Sequence, residues 1–207
     1  MLARNLGFTG QAIPVTPNAG GFSEADFAIP RLDPGERRTI ALKGYHGWVG
    51  RAKVSLEAVS EMPEVLQGYQ IVLYSANRSE LKLAKQTSKQ TGLAITFGKG
   101  AMSHKQVLEM FANSKIYVGL SESDGIGTSM LEAMAMGAIP VQTSTACCDE
   151  WLGDSGVALH QITVVAVKDA IRQGLKLAED PASASKNLET IKKRASEELV
   201  KKIALTF

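Results

Sequence analysis

Beyond residue 30, short runs rich in β-branched and aromatic residues alternate with helical patterns of about a dozen residues, and this alternation leaves few folds open. Arg38–Tyr45 (RTIALKGY), Tyr69–Ser75 (YQIVLYS), Leu93–Phe97, Lys115–Leu120 (KIYVGL) and Ile139–Thr143 (IPVQT) read as strands, with Gly156–Leu159 as a short edge strand. Helices are expected over Gly50–Met62, ended by Pro63, and from Asn77, with Glu80 at the capping-box spacing. Further helices run from Ser103 through Ala112 and over Thr163–Ala178, and a last one is opened by Asp180-Pro181 with proline at its first position. Strands separated by whole helices cannot pair as hairpins and must cross over in parallel. The pattern predicts an α/β fold, a Rossmann-like doubly wound parallel sheet. Ligands in such sheets bind at the carboxyl ends of the strands, and the turns following Lys43–Tyr45 and Leu120 both lie there.

Composition removes several functional classes. A chain of 207 residues with 44% hydrophobic and 21% charged residues has the make-up of an ordinary globular protein with an ample core. Its net charge of +2, with signs mixed throughout, leaves no nucleic-acid footprint. No apolar run approaches the roughly 20 residues needed to span a bilayer, and MLARNLGFTGQAIP lacks a signal-peptide profile. The two cysteines, Cys147 and Cys148, are adjacent and stand apart from other ligands at metal spacing, which argues against a disulfide framework and for a reducing cytoplasm. They read as two small thiols at the start of a helix.

Chemistry concentrates in Ser121–Pro140, SESDGIGTSMLEAMAMGAIP. Asp124 sits beside the turn Gly125-Ile126-Gly127, which opens through Thr128 and Ser129 into a helix. Glu132 is the acid in that helix, otherwise small and apolar from Met130 to Met136. Orphan amides and the helix dipole favour an anion at such a start, and a carboxylate beside it suits sugar hydroxyls. Phosphate plus hydroxyls points to a nucleotide or nucleotide sugar. The competing reading is local: Ser129-x-x-Glu132 also fits a capping box, in which Glu132 binds only backbone. The glycine turn and the apolar remainder of the helix favour the ligand.

The dipole alone is insufficient. It contributes about 0.3–1 kcal/mol to an exposed anion, roughly 2 when partly buried, whereas micromolar binding needs about 8. Cationic side chains are required, and KGYHGWVGRAKV supplies candidates: Arg51, able to fork onto a phosphate, with Lys43 and His46 at the strand end. By default Lys43 and Lys53 are solvated charges, and His46 makes loop hydrogen bonds. Trp48 packs over the sheet edge, while His104 and His160 are lone surface histidines. Asp149-Glu150 suits a helix first turn, and KKRASEELVKK reads as a solvated face.

The spacing Asp124-x7-Glu132, the two intervening glycines and the tail EAMAMGAIPV resemble the signature of family 4 (group 1) retaining glycosyltransferases of the GT-B fold. Asp124 stands where that family usually has Glu, and Ile126 where it has Phe. The resemblance implies a C-terminal, donor-binding half that holds a nucleoside-diphosphate sugar for retaining hexose transfer, as in polysaccharide biosynthesis, without metal or other cofactor. Asp124 would lie near the donor sugar as the catalytic residue and Glu132 would accept hydrogen bonds from the ribose. Backbone at Gly44, Gly125, Ile126, Gly127, Thr128 and Ser129 would meet sugar and pyrophosphate. Arg51 is the nearest match to the family's phosphate lysine, and Tyr45 stands where an arginine is usual. Main chain at Gly98-Lys99-Gly100 would contact the base. Pro17-Asn18-Ala19-Gly20 resembles the crossing between GT-B halves. Residues 1–30 would then be interdomain linker and the remnant of an N-terminal acceptor domain, the missing partner, with residues 31–207 the nucleotide-sugar domain. Such an enzyme is cytoplasmic or peripheral to the inner membrane. Two other readings stay open: a nucleotide-binding module without catalysis, and half of a sugar-nucleotide epimerase or phosphorylase.

Overall fold

Alternation along the first strand sorts the core into two layers. Ile40 and Leu42 point into a cluster on one face of the sheet, and Ala41 into a second cluster on the other. The computed structural model describes residues 2–11, 20–45, 47–98, 102–145 and 147–205. Two short helices, α1 (Leu2–Asn5) and α2 (Glu24–Phe27), precede strand β1 (Thr39–Lys43). Then come α3 (Gly47–Gly50), α4 (Ala52–Ser60), α5 (Pro63–Leu66), β2 (Gln70–Tyr74), α6 (Arg78–Thr91) and β3 (Ala94–Phe97). The second half runs α7 (His104–Ala112), β4 (Ser114–Gly119), α8 (Thr128–Ala135), β5 (Ile139–Thr143), α9 (Asp149–Leu152) and β6 (Val157–Leu159). It closes with α10 (Val164–Leu177), α11 (Pro181–Ala195) and α12 (Glu197–Ala204).

All pairings are parallel and the strand order is β3-β2-β1-β4-β5-β6. β1 and β4, far apart in sequence, are therefore neighbours, and the winding reverses between them. In doubly wound sheets the crevice outside such a reversal is the ligand site. Helices α4, α6 and α10 cover one face with Leu56, Ala84 and Ile171. Helices α7, α8 and α11 cover the other with Phe111, Met134 and Ile191. On this second face Phe111 meets Tyr74 and Tyr117 edge-on, at centroid distances of 5.7 and 5.5 Å.

Several boundaries differ from the sequence expectation, each for a local reason. The helix expected over Gly50–Met62 is interrupted at Arg51, whose φ of 46° is left-handed, so a four-residue turn and α4 meet there as separate pieces. Pro63 follows the end of α4 and also starts α5 at its first position, where a missing N–H costs nothing. Asn77 caps α6 by accepting from the Ser79 and Glu80 amides, but Glu80 does not reciprocate; its carboxylate accepts from the Ser79 hydroxyl. Replacing Asn77 with Ala should cost about 1 kcal/mol, read as a lowered urea midpoint at unchanged slope. The last helix is two, because Ser196 leaves helical geometry and caps α12. Part of the segment read as linker, from Phe22 to Ile29, packs onto the domain. α2 has a full capping box between Ser23 and Asp26, and Phe22 and Ile29 join the second core cluster. Phe22 is bridged in parallel to Ser196, with its N–H donating to Ala195 O at 2.8 Å and its carbonyl accepting from Glu197 N at 2.8 Å.

Candidate functional site

Helix α8 follows the loop that leaves the carboxyl end of β4, and it packs against β4 and β5. Its N-cap is Gly127, with extended backbone and no capping side chain. Ser129 thus lies inside the first turn, and no capping box forms between it and Glu132. The local alternative for Glu132 fails, and no cap side chain takes the amides opening α8. Gly125 and Thr128 are exposed, Asp124, Ile126 and Ser129 half-buried, and Gly127 buried.

Glu132 is 8% exposed in a helix whose other buried residues are apolar. Burial raises its pKa, opposed by the positive fields of His104 and Lys43 and by the Ser129 hydroxyl. His104 Nε2 stands 3.4 Å from Glu132 Oε1, and His104 Nδ1 faces Asp26 Oδ1 at 4.0 Å. His104 is exposed, as a helix-surface histidine should be, but it is not alone.

Lys43 departs further from its default. Period-two alternation places it on the same sheet face as Ala41, the face covered by α8. It is half-buried, with Nζ 4.5 Å from the centroid of the Tyr45 ring. Burial lowers its ammonium pKa, while Asp124 and Glu132 pull the other way. A solvated lysine it is not.

The loop carrying Asp124 is tied to the neighbouring strand from below. Ser121 N–H donates to Thr143 Oγ1 at 2.8 Å, and the Ser121 hydroxyl donates to Ser123 O at 3.0 Å. Gln142 Nε2 reaches Thr143 Oγ1 at 3.4 Å, and the Tyr117 hydroxyl donates to Gln142 Oε1 at 3.3 Å. The Cys147 thiol donates to Gly125 O at 3.4 Å, while Cys148 is buried at the start of α9, where burial pushes its thiol up to about 12. The Tyr74 hydroxyl is buried beside Ser129, Tyr117 and Glu132, and burial raises the pKa of both tyrosines.

Gly44 permits a close approach between the turns after β1 and β2. Its N–H donates to Tyr74 O at 2.7 Å, and a Cβ there would stand 2.5 Å from Ala76 Cβ. Arg51 pairs with Glu122 of the signature loop, each side chain 39% exposed. This bond joins the two turns that the sequence keeps 71 positions apart. The predicted residues Gly44, Arg51, Asp124, Gly125, Ile126, Gly127, Thr128, Ser129 and Glu132 therefore lie along one edge of the sheet. Sequence reasoning passed over Glu122, Gln142, Thr143 and Asp26, gave His104 only a bland role, and named Lys43 as a candidate cation with solvation as its default. The strand parity of Lys43 was the one signal available for it. His46, Pro17-Asn18-Ala19 and Lys99-Gly100 lie outside the described residues. Among the described residues, no group of three or more His, Cys, Asp or Glu side chains is placed to hold a metal ion. Among them, too, no helix is long and apolar enough to cross a membrane.

A six-stranded parallel sheet wound in this order and flanked on both faces by helices defines a Rossmann-like α/β domain. Solved structures place it more closely. A glycosyltransferase from Rickettsia africae ESF-5 superposes with a TM-score of 0.65 at 15% identity, over 90% of this chain and 54% of its own. WaaG, a glycosyltransferase involved in lipopolysaccharide biosynthesis, gives 0.64 at 17% identity, over 93% and 54%. The trehalose-6-phosphate protein of E. coli, solved with UDP-2-fluoro glucose bound, gives 0.69 at 13% identity, over 90% and 50%. At these identities the likeness is one of fold, that of a GT-B half, and the chain spans about half the length of each. No curated protein matches by sequence. The family model described as glycosyl transferases group 1 matches residues 30–194. The chain belongs to that family, as a C-terminal domain of the GT-B fold.

Proposed function

We propose that the chain is the donor-binding half of a retaining hexosyltransferase, acting with an N-terminal acceptor domain in the cytoplasm or at the inner face of a membrane. Residues 31–207 form the nucleotide-sugar domain and the first 30 lead into it, their α2 portion packed back upon it. The observation that carries this reading is Glu132: a buried carboxylate, free of any capping duty, beside the uncapped start of α8 at the winding reversal. Ribose hydroxyls would donate to that carboxylate, and the pyrophosphate would meet the amides of Thr128 and Ser129. Lys43 would add positive charge from the sheet side. Groups fixed before the reaction, in a partly dry crevice, stabilise leaving-group charge at little reorganisation cost. Asp124, held by the Ser121–Thr143 tether, would face the donor sugar. No metal is part of this scheme.

Arg51 needs to change partner to reach a phosphate. Its pair with Glu122 is half-exposed, and such pairs are worth about 0–1 kcal/mol, so a diphosphate can compete for it. Arg51→Ala is expected to weaken diphosphate binding about tenfold, one charge-assisted contact, with the melting temperature unchanged. Titration calorimetry with UDP, GDP, ADP and their hexose conjugates tests the reading as a whole. UDP is first, because a solved structure of the same fold holds a UDP sugar. One nucleotide bound at micromolar affinity supports the proposal; a folded chain that binds none overturns it. The same Arg51–Glu122 pair favours a second reading, a nucleotide-binding module without catalysis, since it occupies one of the cations expected to meet the phosphates. Transfer to an acceptor after an N-terminal half is supplied distinguishes the two.

A further inference from the structure

We infer that His104 is a positioning residue for Glu132, fixing the carboxylate so that one oxygen faces the ribose and ribonucleotides are chosen over deoxyribonucleotides. The inference rests on the donor-site reading above and extends it to a residue outside the signature. Three observations carry it. First, the backbone holding His104 is fixed. Ser103 and Gln106 close a capping box at the start of α7, with Ser103 N–H donating to Gln106 Oε1 at 2.9 Å and Gln106 N–H to Ser103 Oγ at 3.3 Å. Leu108 and Phe111 of the same helix are fully buried. Second, each imidazole nitrogen faces a carboxylate from a different element: Nε2 lies 3.4 Å from Glu132 Oε1, and Nδ1 lies 4.0 Å from Asp26 Oδ1. Asp26 is itself immobilised, its Oδ2 accepting from the Ser23 amide and hydroxyl, both at 2.8 Å. Third, only one oxygen of Glu132 is engaged by the imidazole. A glutamate has three side-chain torsions, and the terminal one is broad. Holding Oε1 removes that freedom and leaves Oε2 to accept from a ribose hydroxyl. The other described groups that interact with Glu132 are Lys43 from β1, Tyr74 from β2, Tyr117 from β4 and Ser129 from its own helix, and none of them lies on α7.

A site built to accept hydrogen bonds from hydroxyls discriminates against a ligand lacking them, and more strongly the better its acceptor is aimed. The experiment compares dissociation constants for the tightest-binding of UDP, GDP and ADP with those for its 2′,3′-dideoxy counterpart. Wild type, His104→Leu, His104→Gln and Glu132→Gln are measured side by side, each confirmed folded by its melting transition. Wild type is expected to prefer the ribonucleotide at least tenfold. His104→Leu should cut that ratio about fivefold by weakening the ribonucleotide and leaving the dideoxy constant unchanged. His104→Gln, whose amide can still donate to the carboxylate, should recover most of the ratio. A ratio undiminished in His104→Leu, with Glu132→Gln abolishing it, overturns the role of His104 and leaves the donor site standing. A wild type that binds none of these nucleotides, or binds both forms equally, overturns the donor reading and this inference with it.

Discussion

Glu132→Ala should weaken nucleotide binding about a hundredfold and leave the domain at least as stable as before. The two halves of that expectation have one origin. A hydrogen bond to a charged group contributes about 1.5–3 kcal/mol, and two ribose hydroxyls share this carboxylate, so losing some 3 kcal/mol of binding corresponds to a factor of about a hundred. In the empty protein the same carboxylate is buried, and its pKa is raised by desolvation more than His104, Lys43 and Ser129 lower it. An acid with a raised folded-state pKa is protonated more readily in the folded than in the unfolded chain. Stability is therefore lost as pH rises from the ordinary carboxylate range through the raised value, and the penalty is complete above it. Glu132→Gln, which cannot ionise, should melt higher than wild type at pH 7, by about 2–4 °C for each kcal/mol relieved. The gap should close below pH 4, where the glutamate is protonated in both states. Thermal melts of the two proteins across this range check the sign. A variant that melts lower at every pH and binds nucleotide normally would make Glu132 a structural residue.

Gly119→Ala should destabilise the domain strongly for so small a change. Gly119 ends β4 on the same face as Tyr117, two residues earlier, and an added methyl would collide with the Tyr117 hydroxyl and stand 2.5 Å from Gln142 Oε1. Overpacking of this kind costs about 1–3 kcal/mol, and here it also breaks the hydrogen bond joining those two side chains. A loss of about 3 kcal/mol, seen as a fall of about 6–12 °C in melting temperature, is expected. Because Gln142 leads through Thr143 to Ser121, the loop holding Asp124 should shift as well, and nucleotide affinity should fall in the fraction that remains folded. Removing the colliding oxygen with Tyr117→Phe in the same chain should recover part of the stability. If the two substitutions are simply additive, the clash lies elsewhere.

Much of the fold was legible because its signals are local and periodic. Ile40, Ala41, Leu42 and Lys43 alternate; Asn77, Ser103, Thr163 and Asp180 cap the helices they precede; Gly127 opens α8. What was hidden depends on partners far away in sequence. Lys43 counts as solvated until the sheet shows which face it points into and that α8 covers that face. His104 carries no distinguishing neighbour in the chain; Asp26 and Glu132 reach it from elements 78 positions earlier and 28 later. Arg51 was singled out for its charge, while its left-handed backbone and its bond to Glu122 follow from how the turn after β1 closes. The packing of Phe22 and Ile29 is hidden for the same reason, since they find their apolar surroundings only once α7, α8 and α11 are assembled.

The bridge between Phe22 and Ser196 sets an order of events during synthesis. Phe22 leaves the ribosome long before α11 and α12 exist, and at about 5–20 residues per second it waits on the order of ten seconds or more for Ser196 to follow. During that interval the strands can pair, and α7 and α8 can offer part of the apolar surface that Phe22 and Ile29 use, but the side supplied by α11 is still missing. The second face of the sheet is thus sealed only when the segment around Ser196 closes over the much earlier segment around Phe22.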